Sequence, residues 1–324
     1  MFDNGGDTVK VTVIIPTFNR SKYVCKAIDS ILSQTHKNIE TLVIDDGSTD
    51  DTKAVLAPLA EQGVIKYVYQ KNNGPSAARN AGLALATGNC IAFCDADDYW
   101  NCDMLQSLIK ILYLSDNTGM VFCDYNTFSD TGLLDVNRNA ARFDDLKPVS
   151  FQRLFSTINF IMPSTVLVKR EVFEKCGLFD ESLKGPEDYD LWLRVLKHYK
   201  IMGTQRALVN IRIHEGNISK HVERMVTDEA AVIEKYRHSV PSSQFRKRLS
   251  KVFMLNADRC ICQKHYLKGL MMMLKGMSVY PFMFNDILII AVRLVIGESG
   301  SDRLRKQIGS LKWLKKIYFY IYRN

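Results

Sequence analysis

Residues 11–46 read VTVIIPTFNRSKYVCKAIDSILSQTHKNIETLVIDD, and this stretch decides the fold class. It starts with a β-branched run that stops at Pro16, and apolar residues then recur at helical spacing over 21–33. A second apolar run covers 39–44. A strand, a helix and a strand in this order are typical of an α/β domain with a mostly parallel sheet.

The same alternation continues toward residue 220. The sequence predicts further strands over 64–69, 90–94, 120–123, 165–168 and 207–213, and helices over 75–86 and 187–198. Acidic residues follow two of the strands, at 45–46 and at 95–98. In open α/β sheets, ligands bind beyond the carboxyl ends of the strands, so these residues predict a ligand site at that edge.

Length and charge indicate two regions. A chain of 324 residues has room for about two domains. Its 47% hydrophobic and 24% charged residues exclude a disordered or collagen-like chain. The net charge of +8 is uneven, because residues 225–324 hold 18 Lys and Arg against 7 Asp and Glu, whereas the remainder is slightly acidic. This asymmetry predicts an enzyme domain over 1–224 and a basic region over 225–324, with no nucleic-acid partner.

The basic region reads as helical and suggests a membrane partner. The apolar stretch 279–297 is interrupted by Asp286 and Arg293, which favours a buried or interfacial helix and leaves a spanning helix open. Residues 303–323 mix basic and aromatic side chains, as in helices bound to the headgroups of an anionic membrane. The alternative is a helix packed on the protein with a solvated basic face.

Cysteine usage and the N-terminus predict the compartment. The eight cysteines form no C-x-x-C pair, and the polar, acidic start of the chain is unlike a secretory signal. We expect reduced thiols and a cytoplasmic protein, peripheral on the inner face of the cell membrane.

The triplet Asp95-Ala96-Asp97 follows an apolar run. Two carboxylates so spaced can reach one hard cation, which could neutralise a diphosphate. Turn formation is the alternative, and Asp98 leaves open which carboxylates would bind.

The pair Asp45-Asp46 ends another predicted strand. A carboxylate there could accept hydrogen bonds from a base or a ribose. Helix capping by Ser48, Thr49 or Asp50 is the alternative.

Four further positions each have a functional and a structural interpretation. Phe18 could stack on a base or lie in the core. Arg79 could bind phosphate or be an ordinary surface arginine. The pair Glu187-Asp188 could supply a base or cap a helix, and His214 could contact a metal or phosphate or be structural.

Several enzyme classes lack their signatures. The sequence contains no G-x-G-x-x-G, G-x-x-x-x-G-K-[ST], H-E-x-x-H or G-x-S-x-G. A dinucleotide dehydrogenase, a P-loop kinase, a zincin and an α/β hydrolase are therefore disfavoured.

Six blocks, in this order, resemble the family 2 glycosyltransferases of the GT-A fold, and in particular those of bacterial surface-polysaccharide synthesis. They are VTVIIPTFNR at 11–20, VIDDGSTD at 43–50, NGPSAARNAG at 73–82, CDADD at 94–98, GPEDYDLWLR at 185–194 and RIHEGNIS at 212–219. The resemblance covers about residues 10–220. It implies inverting transfer of a sugar from a nucleotide-sugar donor, commonly a UDP-sugar, to an acceptor hydroxyl.

The resemblance also implies roles for individual residues. On the donor side, Pro16, Thr17 and Phe18 would line the nucleoside pocket, Asp46 would bind uracil, Arg79 would hold the donor, Asp95 would contact ribose or sugar, and Asp97 with His214 would contact Mn²⁺ or Mg²⁺. On the acceptor side, Asp188 would be the catalytic base and Glu187 would orient the acceptor.

The family pattern is incomplete in one respect, since no Q-x-x-R-W follows the base. Processive synthases carry that block, so we expect addition of one or a few sugars. The basic tail suggests a lipid-linked saccharide acceptor. Two competing readings are a nucleotidyltransferase, whose glycine-rich basic loop is missing near residue 16, and a non-catalytic sugar-nucleotide-binding or membrane scaffold protein.

Overall fold

A computed structural model describes residues 9–214, 222–281 and 290, with only the backbone described for 222–226. Contacts divide the chain into two compact units. The first comprises Met1–Leu154 and Ile158–Asn217, and the second comprises Phe155–Thr157 and Ile218–Asn324. The domain boundary near 225 stays a prediction.

The first unit is built on a mixed sheet. The strands of the described residues are β1 (Val11–Thr17), β2 (Ile39–Asp45), β3 (Lys66–Tyr69), β4 (Cys90–Phe93), β5 (Tyr99–Trp100), β6 (Thr118–Ser129), β7 (Gly132–Asp135), β8 (Val166–Lys169) and β9 (Lys200–Arg212). Their order is β3-β2-β1-β4-β8-β6-β9-β5, with β7 paired to β6. The first four strands are parallel to one another, β8 is antiparallel to both of its neighbours, and β9 is parallel to β6. One edge of the parallel part therefore collects the carboxyl ends of β1, β2 and β4.

Helices connect and cover these strands. They are α1 (Val24–Leu32), α2 (Thr52–Glu61), α3 (Pro75–Leu85), α4 (Met104–Leu112), α5 (Phe151–Ser156), α6 (Arg170–Cys176) and α7 (Glu187–Val195). Helix α1 forms because Val24, Ala27, Ile28 and Ile31 recur at helical spacing and are all fully buried. Its apolar face packs with alternate residues of β1 and with α4 in one core.

Helix α3 lies unusually close to the sheet. A Cβ at Gly82 would lie 2.4 Å from Cγ2 of Ile14, so only glycine fits there. Pro75 occupies the first turn, where its missing N–H costs no helical hydrogen bond. This close approach positions the buried side chain of Arg79 at the ligand edge.

The second unit is helical over the described residues. It contains α8 (Val222–Lys235), α9 (Ser242–Cys262) and α10 (Tyr266–Val279). The Arg248 side chain is buried here, donating to the Phe155 carbonyl and pairing with Glu229. Among the described residues, no helix has the length and apolar character needed to cross a bilayer. The predicted helix at 303–323, and most of the stretch 279–297, lie outside the described residues.

Candidate functional site

Loops after β1 and β2 are joined at the predicted ligand edge. Asn19 has a φ of 52°, a left-handed conformation that asparagine tolerates. Its Oδ1 accepts a hydrogen bond from the Thr49 N–H at 2.8 Å, and its own N–H donates to Ser48 Oγ at 2.9 Å. Phe18 beside it is 43% exposed, so the core interpretation of Phe18 is wrong and its ring is available to a ligand.

The other two residues of this predicted pocket lie deeper. Pro16 is half-buried, and Thr17 is buried. The Thr17 hydroxyl has no hydrogen-bond partner among the described residues. A buried hydroxyl without a partner is unusual in a folded protein and points to a missing ligand or water.

Asp46 orders the loop that leads into α3. Its Oδ1 accepts hydrogen bonds from Gln70 Nε2 at 2.7 Å and from the Asn73 N–H at 2.9 Å, while Oδ2 accepts from the Gly74 N–H at 2.8 Å. Both carboxylate oxygens therefore have protein partners. A uracil contact by Asp46 stays a prediction, and such a contact would share these oxygens with the loop.

Of the three alternative capping residues near residue 50, Asp50 bonds the start of α2, although the N-cap position itself is Asp51. Asp50 Oδ1 accepts from the N–H of Thr52, the first residue of α2, at 3.0 Å, and its Oδ2 accepts from Ser21. These hydrogen bonds to the charged form outweigh burial and lower the pKa of Asp50 to about 2. Asp50 therefore stabilises the loops and is distinct from the ligand-facing carboxylates.

Arg79 connects two acidic parts of the chain. The side chain is buried, and its Nη2 lies 2.9 Å from Asp95 Oδ1, while Nη1 lies 2.9 Å from Glu187 Oε1. The two carboxylates hold the pKa of the guanidinium above its usual range. The surface interpretation of Arg79 is wrong. Arg79 instead places the end of β4 next to the start of α7.

Glu187 and Asp188 begin α7 and are both buried. Glu187 Oε2 accepts from the Gly185 N–H at 2.9 Å, in addition to its ion pair with Arg79. Asp188 Oδ1 accepts from the Tyr189 N–H at 2.6 Å, and Oδ2 accepts from Asn159 Nδ2 at 2.9 Å.

Burial and the negative charge of Glu187 raise the pKa of Asp188 to about 8. A carboxyl group with a pKa near the working pH can exchange a proton with a substrate hydroxyl. The residue predicted as the base therefore has a pKa that suits proton exchange near neutral pH.

Asp97 and His214 meet although they are 117 residues apart. His214 Nε2 lies 2.9 Å from Asp97 Oδ2, and Arg20 Nε donates to the same oxygen at 3.0 Å. The His214 ring stacks on Tyr23, with 5.9 Å between ring centroids. The structure thus brings together the two side chains predicted to contact a metal.

Asp98 faces the protein interior. Its Oδ2 accepts from Ser164 Oγ at 2.6 Å, and its Oδ1 accepts from the Arg212 N–H at 3.0 Å. Burial, together with repulsion from Asp95 and Asp97, raises the pKa of Asp98 well above its usual value. The role left open for Asp98 is therefore structural, and Asp95 and Asp97 are the candidates for ligand contact.

The donor set suits a divalent cation that is shared with a substrate. Within 9–214 and 222–281, no three His, Cys, Asp or Glu side chains cluster as a complete metal site. Mg²⁺ and similar ions are commonly held by one or two carboxylates, with substrate phosphates and water completing the shell. Asp97 and His214, with the part-exposed carboxylate of Asp95, fit that arrangement.

Sequence reasoning missed two contacts of this site. Arg20 lies inside the block 11–20, so its position beside Asp97 had a signal in the motif. Asn159 lies in an irregular stretch without any motif, and only the fold places its amide on Asp188.

Comparisons with known proteins point to one family. The sequence model described as glycosyl transferase family 2 matches residues 12–177. An uncharacterized glycosyltransferase of Rickettsia typhi is 31% identical over 254 residues, which cover 76% of this chain and 74% of the relative. An uncharacterized glycosyltransferase of Rickettsia felis is 34% identical over 212 residues, covering 64% of this chain but only 33% of that protein. The chain therefore spans about a third of the length of some curated relatives.

A further relative has a named reaction. It is the UDP-Glc:alpha-D-GlcNAc-diphosphoundecaprenol beta-1,3-glucosyltransferase WfaP of Escherichia coli, 28% identical over 228 residues, which cover 69% of this chain and 85% of WfaP.

Solved structures confirm the GT-A fold and the helices that follow it. S. aureus TarS 1-349 in complex with UDP-GlcNAc has a TM-score of 0.63 at 20% identity, over 83% of this chain and 80% of that one. Mannosyltransferase PcManGT from Pyrobaculum calidifontis, in complex with GDP-Man and Mn²⁺, has a TM-score of 0.59 at 15% identity, over 97% and 84%.

Proposed function

Since the chain belongs to glycosyl transferase family 2, we propose that it transfers a hexosyl or N-acetylhexosaminyl group from a UDP-sugar to an acceptor hydroxyl, with inversion at the anomeric carbon. The observation that carries this proposal is the bridge made by Arg79. One buried guanidinium holds Asp95, on the donor side, 2.9 Å from one nitrogen and Glu187, next to Asp188, 2.9 Å from another.

The donor lies along the carboxyl ends of β1, β2 and β4 in this proposal. The exposed ring of Phe18 stacks on the base, while Pro16 and Thr17 line the nucleoside pocket. Asp46 contacts the uracil, and Asp95 contacts ribose or sugar. Arg79 places positive charge next to Asp95, where it supports the negatively charged leaving group.

Asp97 and His214 would hold Mn²⁺ or Mg²⁺. The fold already brings these two side chains together, with His214 Nε2 2.9 Å from Asp97 Oδ2. When bound, the cation supplies positive charge that neutralises the diphosphate. Arg20, which shares Asp97 Oδ2, offers a second cationic group at the same place.

Asp188 takes the proton of the acceptor hydroxyl. The acceptor oxygen then bonds to C1 of the sugar, the bond from C1 to the diphosphate oxygen breaks, and UDP departs with the electron pair. One displacement from the face opposite to the leaving group inverts C1. The raised pKa of Asp188 supports the role, because a weakly acidic carboxyl group is a stronger base once it is ionised. Glu187 orients the acceptor, and its pairing with Arg79 fixes its position.

The acceptor is a lipid-linked saccharide of cell-surface polysaccharide synthesis in this proposal. The name of WfaP supports it, since that relative acts on a diphosphoundecaprenol-linked sugar. The basic region 225–324 suits an anionic membrane surface, which supports a position on the inner face of the cell membrane as part of this proposal.

Release of UDP from a panel of UDP-sugars tests the proposal. The purified full-length protein is assayed with Mn²⁺ or with EDTA, next to Asp97→Ala and Asp188→Asn. We expect slow release from one preferred donor even without acceptor, dependent on metal and lost in both variants. Asp116→Asn, which alters an exposed carboxylate, serves as the matched control and should behave as the wild type.

Two results would contradict the proposal. Binding of a UDP-sugar without any release, with or without a polyprenyl-diphosphate-linked saccharide, would favour the non-catalytic scaffold. Release that survives in Asp188→Asn would exclude Asp188 as the base.

A further inference from the structure

Helix α10 turns its large apolar side chains toward solvent. Leu267 is 76% exposed, Met271 63%, Leu274 55%, Tyr266 52% and Leu270 38%. At 3.6 residues per turn, these five side chains fall within an arc of about 140° on one face of the helix. We call this face the outer arc. In a helix that only covers a soluble core, that face carries polar residues.

The opposite face of α10 packs closely on α9 through two glycines. A Cβ at Gly269 would lie 2.6 Å from Ile261 Cγ1, and one at Gly276 would lie 3.0 Å from Met254 Cε. Small residues at these positions let the two helices approach, and Met254, Ala257 and Ile261 form a buried cluster there. Met272, Met273 and Met277 of α10 also pack against this cluster, and the five side chains of the outer arc are not among its members.

The positive charge of α10 favours an anionic lipid bilayer as the partner of the outer arc. Helix α10 contains Lys268 and Lys275 and no acidic residue. At 3.6 residues per turn both lysines follow the outer arc around the helix, and Lys275 Nζ lies 4.7 Å from the centroid of the Phe253 ring in α9. The region 225–324 is strongly basic as well. An apolar face bordered by lysines and a tyrosine matches an anionic bilayer surface, where the lysines meet phosphates. A symmetric pair of copies would instead bring like charges together.

We propose that the outer arc of α10 docks on an anionic lipid bilayer, with its apolar side chains in the region between headgroups and acyl chains. In the sequence, this surface lies at 266–274, apart from the basic segment 303–323. The inference rests on the proposed function only for the choice of a membrane as partner, since a lipid-linked acceptor would be met at the same surface.

Co-sedimentation with vesicles tests the outer arc. The full-length protein is mixed with vesicles of phosphatidylcholine and phosphatidylglycerol, or of phosphatidylcholine alone. We expect binding to the anionic vesicles, and a partition coefficient at least about tenfold lower for Leu267→Ser/Met271→Ser because two inserted side chains are lost. Leu133→Ser/Leu134→Ser is the matched control, since it removes two leucines of β7 that are also more than half exposed, and it should bind as the wild type.

A second variant tests the charge. Lys268→Gln/Lys275→Gln should lose most of the preference for anionic over neutral vesicles. Leu267, Met271 and Lys275 are exposed, whereas Lys268 is half-buried. An unchanged unfolding midpoint establishes that the variants are folded.

Three outcomes separate the possibilities. Undiminished vesicle binding by Leu267→Ser/Met271→Ser would overturn the proposal and would leave the basic segment 303–323 as the candidate membrane contact. A wild-type dimer that this variant dissociates, with vesicle binding unchanged, would assign the outer arc to a second copy. If Leu267→Ser/Met271→Ser loses vesicle binding while the wild type releases no UDP from any donor, the docking surface would be supported and the proposed transferase contradicted.

Discussion

Replacing Asn159 by alanine tests whether Asp188 acts as the base. Asn159 Nδ2 donates to Asp188 Oδ2 at 2.9 Å. This hydrogen bond stabilises the carboxylate over the carboxylic acid, so its loss should raise the pKa of Asp188 further above the value of about 8. Asp188 must be ionised to accept the proton, and activity therefore rises with pH through this pKa.

The size of the shift follows from the hydrogen bond. A hydrogen bond to a charged group contributes about 1.5–3 kcal/mol, and one pKa unit corresponds to about 1.4 kcal/mol. This energy corresponds to a rise of about one to two units in the pKa of Asp188. A water molecule that replaces the lost amide reduces the expected rise to about one unit. At pH values below the pKa of Asp188, kcat/KM of Asn159→Ala should be about tenfold lower than that of the wild type. At pH values above the pKa, the two should converge.

The assay is UDP release from the preferred donor between about pH 6 and about pH 10 at constant ionic strength and saturating metal. Asn126→Ala is the matched control, because it removes a half-buried amide that bonds Asn210 and not Asp188. Asn159→Asp keeps an acceptor for the Ile161 N–H and adds a negative charge near Asp188. The pKa in its pH–activity profile should therefore be higher than in Asn159→Ala. An equal loss of kcat/KM at every pH, or an unchanged pKa in the pH–activity profile of Asn159→Ala, would refute the reasoning.

Three further predictions concern stability. Burial raises the pKa of Asp188 in the folded protein to about 8. The resulting loss in the free energy of unfolding is therefore absent below about pH 4 and grows by up to about 1.4 kcal/mol per pH unit toward pH 8. Asp188→Asn should raise Tm at pH 8 and leave it nearly unchanged at pH 4. Arg79→Ala leaves the buried Glu187 without its cation and should lower the free energy of unfolding in urea by about 3–5 kcal/mol. Gly82→Ala forces a Cβ within 2.4 Å of Ile14 and should cost about 1–3 kcal/mol in the same measurement.

Matched variants decide these stability predictions. Arg138→Ala breaks a half-exposed ion pair with Asp135 and should change stability by no more than about 0.5 kcal/mol. If Arg79→Ala costs no more than that, the bridge is not structural. In an Ile14→Ala background the cost of Gly82→Ala should vanish, and a persisting cost would contradict the packing argument. An Asp188→Asn variant whose Tm gain is equal at both pH values would contradict the titration argument.

The strands around the site were predictable because they are rich in buried apolar residues. Val11–Thr17, Ile39–Asp45 and Cys90–Phe93 were expected within two residues of their bounds, since each contains a short run of mostly β-branched or apolar residues. Helix α4 was not predicted, although Leu105, Leu108 and Leu112 carry helical spacing in the sequence. The antiparallel direction of β8 could not be predicted, because an apolar run of four residues carries no information on strand direction.

The site was predictable only as far as its motifs reach. The carboxylates at 46, 95, 97 and 188 were singled out as ligand or base candidates from the acidic clusters and the family blocks. Their partners depend on contacts between distant residues. Nothing local indicates that Arg79 bridges Asp95 and Glu187, or that Asp98 turns inward to Ser164.

The bridge by Arg79 also has a consequence for synthesis of the chain. Its two ends, Arg79 and Glu187, are separated by 108 residues. At about 5–20 residues per second, the ribosome needs roughly 5–20 s to make the intervening segment. During that interval the guanidinium has no Glu187 to compensate its burial, so this edge of the nascent domain stays hydrated. The bridge can close only after α7 has been made, and His214, which meets Asp97, is made later still. A nascent chain arrested before residue 187 should leave Arg79 open to solvent.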